Sequence, residues 1–99
     1  MEIKEAQENI FEFAKKRAAA KGFDLTSELS YIHLTEELGE VARQLSNKKM
    51  RPEKYDEANL REEIVDVILE ALILAKTCDV DVGKEITLKR EALKKRFGF

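Results

Sequence analysis

The sequence predicts an all-α chain folded as a four-helix antiparallel bundle and completed by oligomerisation. Three observations lead there. Only four Gly and one Pro interrupt 99 residues, no stretch alternates apolar and polar side chains as a strand would, and apolar residues recur every three to four positions in four helix-length blocks. The length fits one domain spanning residues 1–99.

The first block, residues 2–20, carries Ile3, Ala6, Ile10, Phe13, Ala14 and Arg17 on one stripe, with Phe11 beside it. Lys16, Arg17 and Lys21 favour the negative end of its dipole, and Gly22 supplies a stop. Thr26 or Ser27 can cap the second block, which runs through Leu29, Ile32, Leu34, Leu38, Val41, Ala42 and Leu45 and ends before Asn47. Leu34 to Val41 and Leu38 to Leu45 are seven-residue steps, the spacing of a helix packed in a bundle. Ser46 to Tyr55, with Lys48, Lys49, Arg51 and Lys54, reads as a basic connector.

The third helix is secure from about Asn59, which with Glu62 has the spacing of a capping box. From Ile64 to Ala75 it is apolar around most of its circumference, as a helix buried on several sides would be. So short a chain supplies few neighbours, and the expectation is a homodimer or homotetramer with this helix near its centre. Asp81 caps a last helix from about Val82 to Arg96, the most basic part of the chain, with Lys84, Lys89, Arg90, Lys94, Lys95 and Arg96.

Composition excludes several classes. Charged residues make up 38% of the chain, yet 18 basic against 20 acidic leave a net charge of -2, unlike a nucleic-acid binder or a disordered acidic chain. Asp66 and Glu70 break the longest apolar stretch, which is too short for the roughly 20 residues of a membrane span. The first residues lack the cationic start and apolar run of a signal peptide, and Cys78 has no partner for a disulfide. The expected compartment is the reducing cytoplasm. Cys78 itself reads as a packing residue.

The acidic residues sit in unexpected places. At about 100° per residue, Glu37 and Glu40 lie about 60° apart, Glu36 is about 40° from Glu40, and Glu63 and Asp66 are again about 60° apart with Glu70 between them. An antiparallel second and third helix would face these two sectors, gathering four to six carboxylates with no cations on the same faces. Buried charges need a partner or a metal. An all-oxygen set suits Mg²⁺, with Mn²⁺ as a substitute, and a di-iron site would need Glu-x-x-His pairs that a chain with one histidine lacks.

His33, four residues before Glu37, shares its face and is a candidate to meet substrate or to pack. Gly39 lies mid-helix at a cost of about 1 kcal/mol against Ala, which suggests a close approach by a helix or ligand.

Leu34-Thr-Glu-Glu-Leu-Gly-Glu-Val-Ala42 followed by Glu62-Glu-Ile-Val-Asp-Val-Ile68 resembles the MazG-like all-α nucleoside triphosphate pyrophosphohydrolases, whose pattern is Glu-Glu-x-x-Glu, a spacer, then Glu-x-x-Asp. The resemblance implies Mg²⁺-dependent hydrolysis of a nucleoside triphosphate between its α and β phosphates, giving a monophosphate and pyrophosphate, in a nucleotide-pool house-cleaning role. It implies metal ligation by Glu37, Glu40, Glu63 and Asp66. Glu36 and Glu37 are candidates to orient or deprotonate the attacking water. Among basic groups for the pyrophosphate end, Lys89 and Arg96 rank ahead of Lys48, Lys49, Arg51, Lys54, Lys94 and Lys95.

The likeness thins in two places. Ala92 and Leu93 stand where many relatives have a Lys and an Asn, and Glu70 stands where some have an aromatic residue near the base. Glu70 is accordingly a substrate-facing candidate, and Phe11, Phe13 and Tyr31 are the available stacking rings, each also suited to the core. Two alternatives are a phosphoribosyl-ATP pyrophosphohydrolase and a non-catalytic helical module that binds metal or nucleotide for oligomerisation.

Overall fold

In the computed structural model, which describes residues 2–99, four helices follow one another: α1 (Ile3–Ala20), α2 (Ser27–Met50), α3 (Glu57–Thr77) and α4 (Val82–Phe97). A single 3-10 turn, Pro52–Lys54, lies between α2 and α3. The chain is all-α with no strand among the described residues.

Local chemistry sets the ends. Thr26 Oγ1 accepts from the Leu29 amide at 3.2 Å, and Asp81 Oδ1 accepts from the Lys84 amide at 3.2 Å, as their sequence positions predict. Gly22 takes a left-handed φ of 83° and closes α1, with the Gly22 and Phe23 amides donating to Ala19 and Ala18 carbonyls.

Two boundaries differ from expectation. α2 continues past Asn47 to Met50, because Lys48 and Lys49 are good helix formers at the favourable end of the dipole and the chain is stopped only by Pro52, which disfavours helix at Arg51. α3 starts at Glu57 rather than near Asn59. Asp56 takes the cap, its Oδ1 accepting from the Asn59 amide at 3.1 Å, and this releases the Asn59 side chain for other work.

α2 and α3 pack antiparallel. Ser27 at the start of α2 donates to Thr77 at the end of α3 (3.0 Å), and Gln44 near the end of α2 donates to Asn59 at the start of α3 (2.8 Å). α1 lies on α3 and is fixed there by buried Gln7, whose Nε2 donates to the carbonyls of Leu72 (3.2 Å) and Val80 (2.9 Å) while its Oε1 accepts from the Val82 amide (3.2 Å). One side chain thus ties α1, the end of α3 and the start of α4. Beyond its first turn α4 is exposed along its length.

The arrangement is open. The radius of gyration is 16.3 Å, against about 13 Å for a compact domain of this length. Ala18, Leu72 and Ile73 are the buried apolar residues, while Tyr31, Leu38 and Leu45 of α2 and Ile64, Val65 and Ile68 of α3 are exposed. Within one chain, the apolar stretch of α3 is therefore covered where α1 and α2 pack on it and bare at Ile64, Val65 and Ile68. No described helix is long and apolar enough to cross a membrane.

Candidate metal centre and adjoining cleft

The antiparallel pairing of α2 and α3 turns two sequence motifs into one cluster. Glu37 from α2 and Glu63 and Asp66 from α3 each place a carboxylate oxygen within 4.8 Å of the others. Glu37 and Glu63 are half-buried. Glu63 Oε2 is buried with no hydrogen-bond donor, an unmet acceptor that carries a desolvation cost. Burial, the Glu63 carboxyl and the charges of Asp66, Glu63 and Glu70 together push Glu37 up to about 7, so below that pH a proton on Glu37 relieves the repulsion.

A buried acceptor without a donor and three converging carboxylate oxygens fit a hard divalent cation, which takes oxygen ligands and would supply the missing positive charge.

Asn59 supports this arrangement. Its Nδ2 donates to Glu63 Oε1 at 3.5 Å, and its Oδ1 accepts from Gln44, whose own Oε1 accepts from the Asp56 amide at 3.0 Å. The chain Gln44, Asn59, Glu63 runs from the helix cap to the cluster. Nothing in the sequence separates this role from the capping role that Asn59 was expected to play, because Asp56 and Asn59 are both competent caps.

Beside the cluster, α1 and α3 enclose a cleft of about 310 Å³ that shares Asp66 as its wall. His33 and Glu70 both line it, as does Phe13. So do Arg17 and Lys21, neither of them among the substrate-facing residues expected from the sequence. The available signal was Arg17 on the apolar stripe of α1, a cation where core is expected. Burial raises Glu70 above the ordinary carboxylate range, and the charges of His33 and Arg17 partly oppose that.

The remaining candidates are not among the three converging carboxylates. Glu40 is 3.4 Å from the Arg43 guanidinium. Glu36 is exposed on α2. Lys89 and Arg96 are on α4, which packs on α1, and neither lines the cleft; Arg96 instead lies 5.1 Å over the Phe97 ring. Of the suggested stacking rings, Tyr31 is exposed on α2 and Phe11 lies under Lys15, leaving Phe13 at the cleft. A Cβ on Gly39 would meet no atom within 4 Å, so close approach inside the chain does not explain this glycine.

The family model of the MazG nucleotide pyrophosphohydrolase domain matches residues 25–95, a span holding all of α2, α3 and most of α4. No curated protein and no solved structure matches the chain.

Proposed function

Since the chain belongs to the MazG nucleotide pyrophosphohydrolase family, we propose that it hydrolyses a nucleoside triphosphate between the α and β phosphates, yielding a monophosphate and pyrophosphate. The observation that carries this reading is the Glu37, Glu63 and Asp66 cluster with its donorless buried oxygen. Glu37, Glu63 and Asp66 would hold Mg²⁺ or Mn²⁺, and Glu40 joins them by turning away from Arg43.

When bound, the cation supplies charge neutralisation and Lewis acidity at the phosphate oxygens. The chain's own residues do the positioning, which is most of what phosphoryl chemistry asks of a protein. Glu63 is oriented by Asn59, Glu36 or Glu37 would orient or deprotonate the attacking water, and the cleft with His33 and Glu70 receives the rest of the nucleotide.

The same reading includes a second copy of the chain. The exposed surface is 7592 Å², whereas a folded monomer of 11.4 kDa exposes about 5,800 Å². The excess is on the scale of a stable interface, which takes about 800 Å² from each partner. Tyr31, Leu38 and Leu45 at seven-residue spacing, with Val65 and Ile68, give it an apolar face to bury. Lys89 and Arg96, on a helix docked only through its first turn, are the candidates to approach the pyrophosphate end in that assembly.

Product analysis tests the reaction. With Mg²⁺ and a panel of nucleoside triphosphates, the purified protein should release pyrophosphate and monophosphate, and Glu63→Gln should abolish this while keeping its helicity. Orthophosphate as the product, or no turnover across the panel, contradicts the proposal. Light scattering in solution tests the second copy, with a monomer as the contrary result.

A further inference from the structure

The cleft has features that bear on which nucleotides enter it, and this inference rests on the function proposed above. Asp66 is the wall it shares with the carboxylate cluster. From Asp66 the next residues of α3 that line the cleft are Leu69, Glu70 and Ile73, and the polar one, Glu70, is about 6 Å further along the helix axis. A nucleotide with its phosphates at the cluster therefore lays its base beside Glu70.

The walls there suit a flat ring. Phe13 is 57% exposed and Phe23 is 37% exposed, and both face the cleft together with Leu25 and Leu69. At about 310 Å³ the cleft is at the small end of ligand pockets, the scale of one base and its sugar.

Glu70 is the polar group at the ring's edge. Among the described residues no side-chain donor hydrogen-bonds to it, and no basic group lies within 4.0 Å. Arg17 and His33 line the same cleft without closing on it. Burial raises its pKa, which is the cost of a partly desolvated carboxylate awaiting a donor.

We propose that Glu70 makes this cleft selective for nucleobases bearing an exocyclic amino group, accepting a hydrogen bond from that group in cytosine, adenine or guanine. An ionised carboxylate can only accept. Uracil and thymine flank their single ring N–H with two carbonyl oxygens, which would face Glu70 as like partners. Cytosine and adenine offer an amino group, and guanine offers an amino group next to its ring N–H. A site built around such a bond rejects the analogue that cannot make it.

The test uses neutral deoxynucleosides, whose binding needs neither phosphate nor metal, followed by NMR at the His33 ring. Deoxycytidine, deoxyadenosine and deoxyguanosine should bind at least about tenfold more tightly than thymidine and deoxyuridine. Glu70→Gln keeps the size of the side chain and adds a donor, so it should narrow that ratio to near one by improving thymidine. Glu70→Asp, which shortens the carboxylate, should weaken the amino-bearing set and leave the order intact.

Equal binding by the wild-type protein, or an unchanged preference in Glu70→Gln, overturns the proposal. The two claims fail separately. Selective deoxynucleoside binding without pyrophosphate release removes the proposed reaction and keeps the cleft. Pyrophosphate release at equal kcat/KM from all bases keeps the reaction and removes the selectivity.

Discussion

Gln7 and the Glu37, Glu63 and Asp66 cluster are both polar groups placed where helices meet, and they differ in how their hydrogen bonds are met. Gln7 is 3% exposed, and both donor and acceptor of its amide are met, by three backbone groups on α3 and on the turn into α4. Glu63 has a buried oxygen with no donor, and its neighbours are two more carboxylates. A satisfied buried amide contributes stability and specificity of packing. A buried acceptor with no donor beside two more carboxylates destabilises the chain alone, and becomes favourable only with something positive between them.

The largest expected effect separates the two regions outright. Asp66→Asn should lower pyrophosphate release by more than about a hundredfold, beyond what loss of a supporting residue costs. Its metal-free melting temperature should stay level or rise, because a like charge has been removed. A fall in metal-free stability would place Asp66 with Gln7 as a structural group.

Gln7→Ala should do the converse. It strands two carbonyls and an amide, so urea denaturation should report a loss of about 2–3 kcal/mol. Metal affinity at a temperature where the variant is folded should not change. Weaker metal binding would mean that the α1 anchor and the cluster are coupled.

Asn59→Ala lies between these two, since it touches a carboxylate of the cluster and is itself held by Gln44. An affinity loss of about tenfold for Mn²⁺, with a small stability change, is the expected result in a titration. No affinity change would show that Glu63 orients itself.

pH sharpens the contrast further. The folded-state pKa of Glu37, near 7, is above its ordinary 4.5, so between these values the folded chain holds a proton that the unfolded chain has lost. Metal-free stability from this group therefore declines as pH rises from about 4.5 to 7 and levels off above 7. Thermal melts across that range should show a shallower decline in Glu37→Gln than in the wild type. Parallel curves would detach Glu37 from the cluster.

The smallest effect belongs to Gly39. In isolated chains Gly39→Ala should gain up to about 1 kcal/mol. Concentration-dependent melts that instead show a loss would place a second copy against this turn of α2.

Helix number and the caps at Thr26 and Asp81 were legible because each depends on a few adjacent residues. The start of α3 was less so, since Asp56 and Asn59 are both able to cap and only folding decides which one does. The cluster was legible for a different reason. Helical spacing puts Glu63 and Asp66 on one face, and the short connector sets α3 antiparallel to the helix carrying Glu37. What the pattern could not supply was the position of α1. Arg17, Lys21 and Phe13 reach the cleft through the way α1 lies on α3, and Asn59 supports Glu63 through a contact with Gln44 from another helix. Similarly, Glu40 has the right helical face for the cluster and in the folded chain lies beside Arg43, one turn further on.

The central claim is that Glu37, Glu63 and Asp66 hold a divalent cation, and Mn²⁺ titration followed by electron paramagnetic resonance addresses it most directly. The account predicts at least one bound Mn²⁺ per chain at pH 8, displaced by Mg²⁺, and lost in Glu63→Gln while Gln7→Ala keeps it in its folded state. Binding that is absent from the wild-type protein, or that survives unchanged in Glu63→Gln, would contradict it.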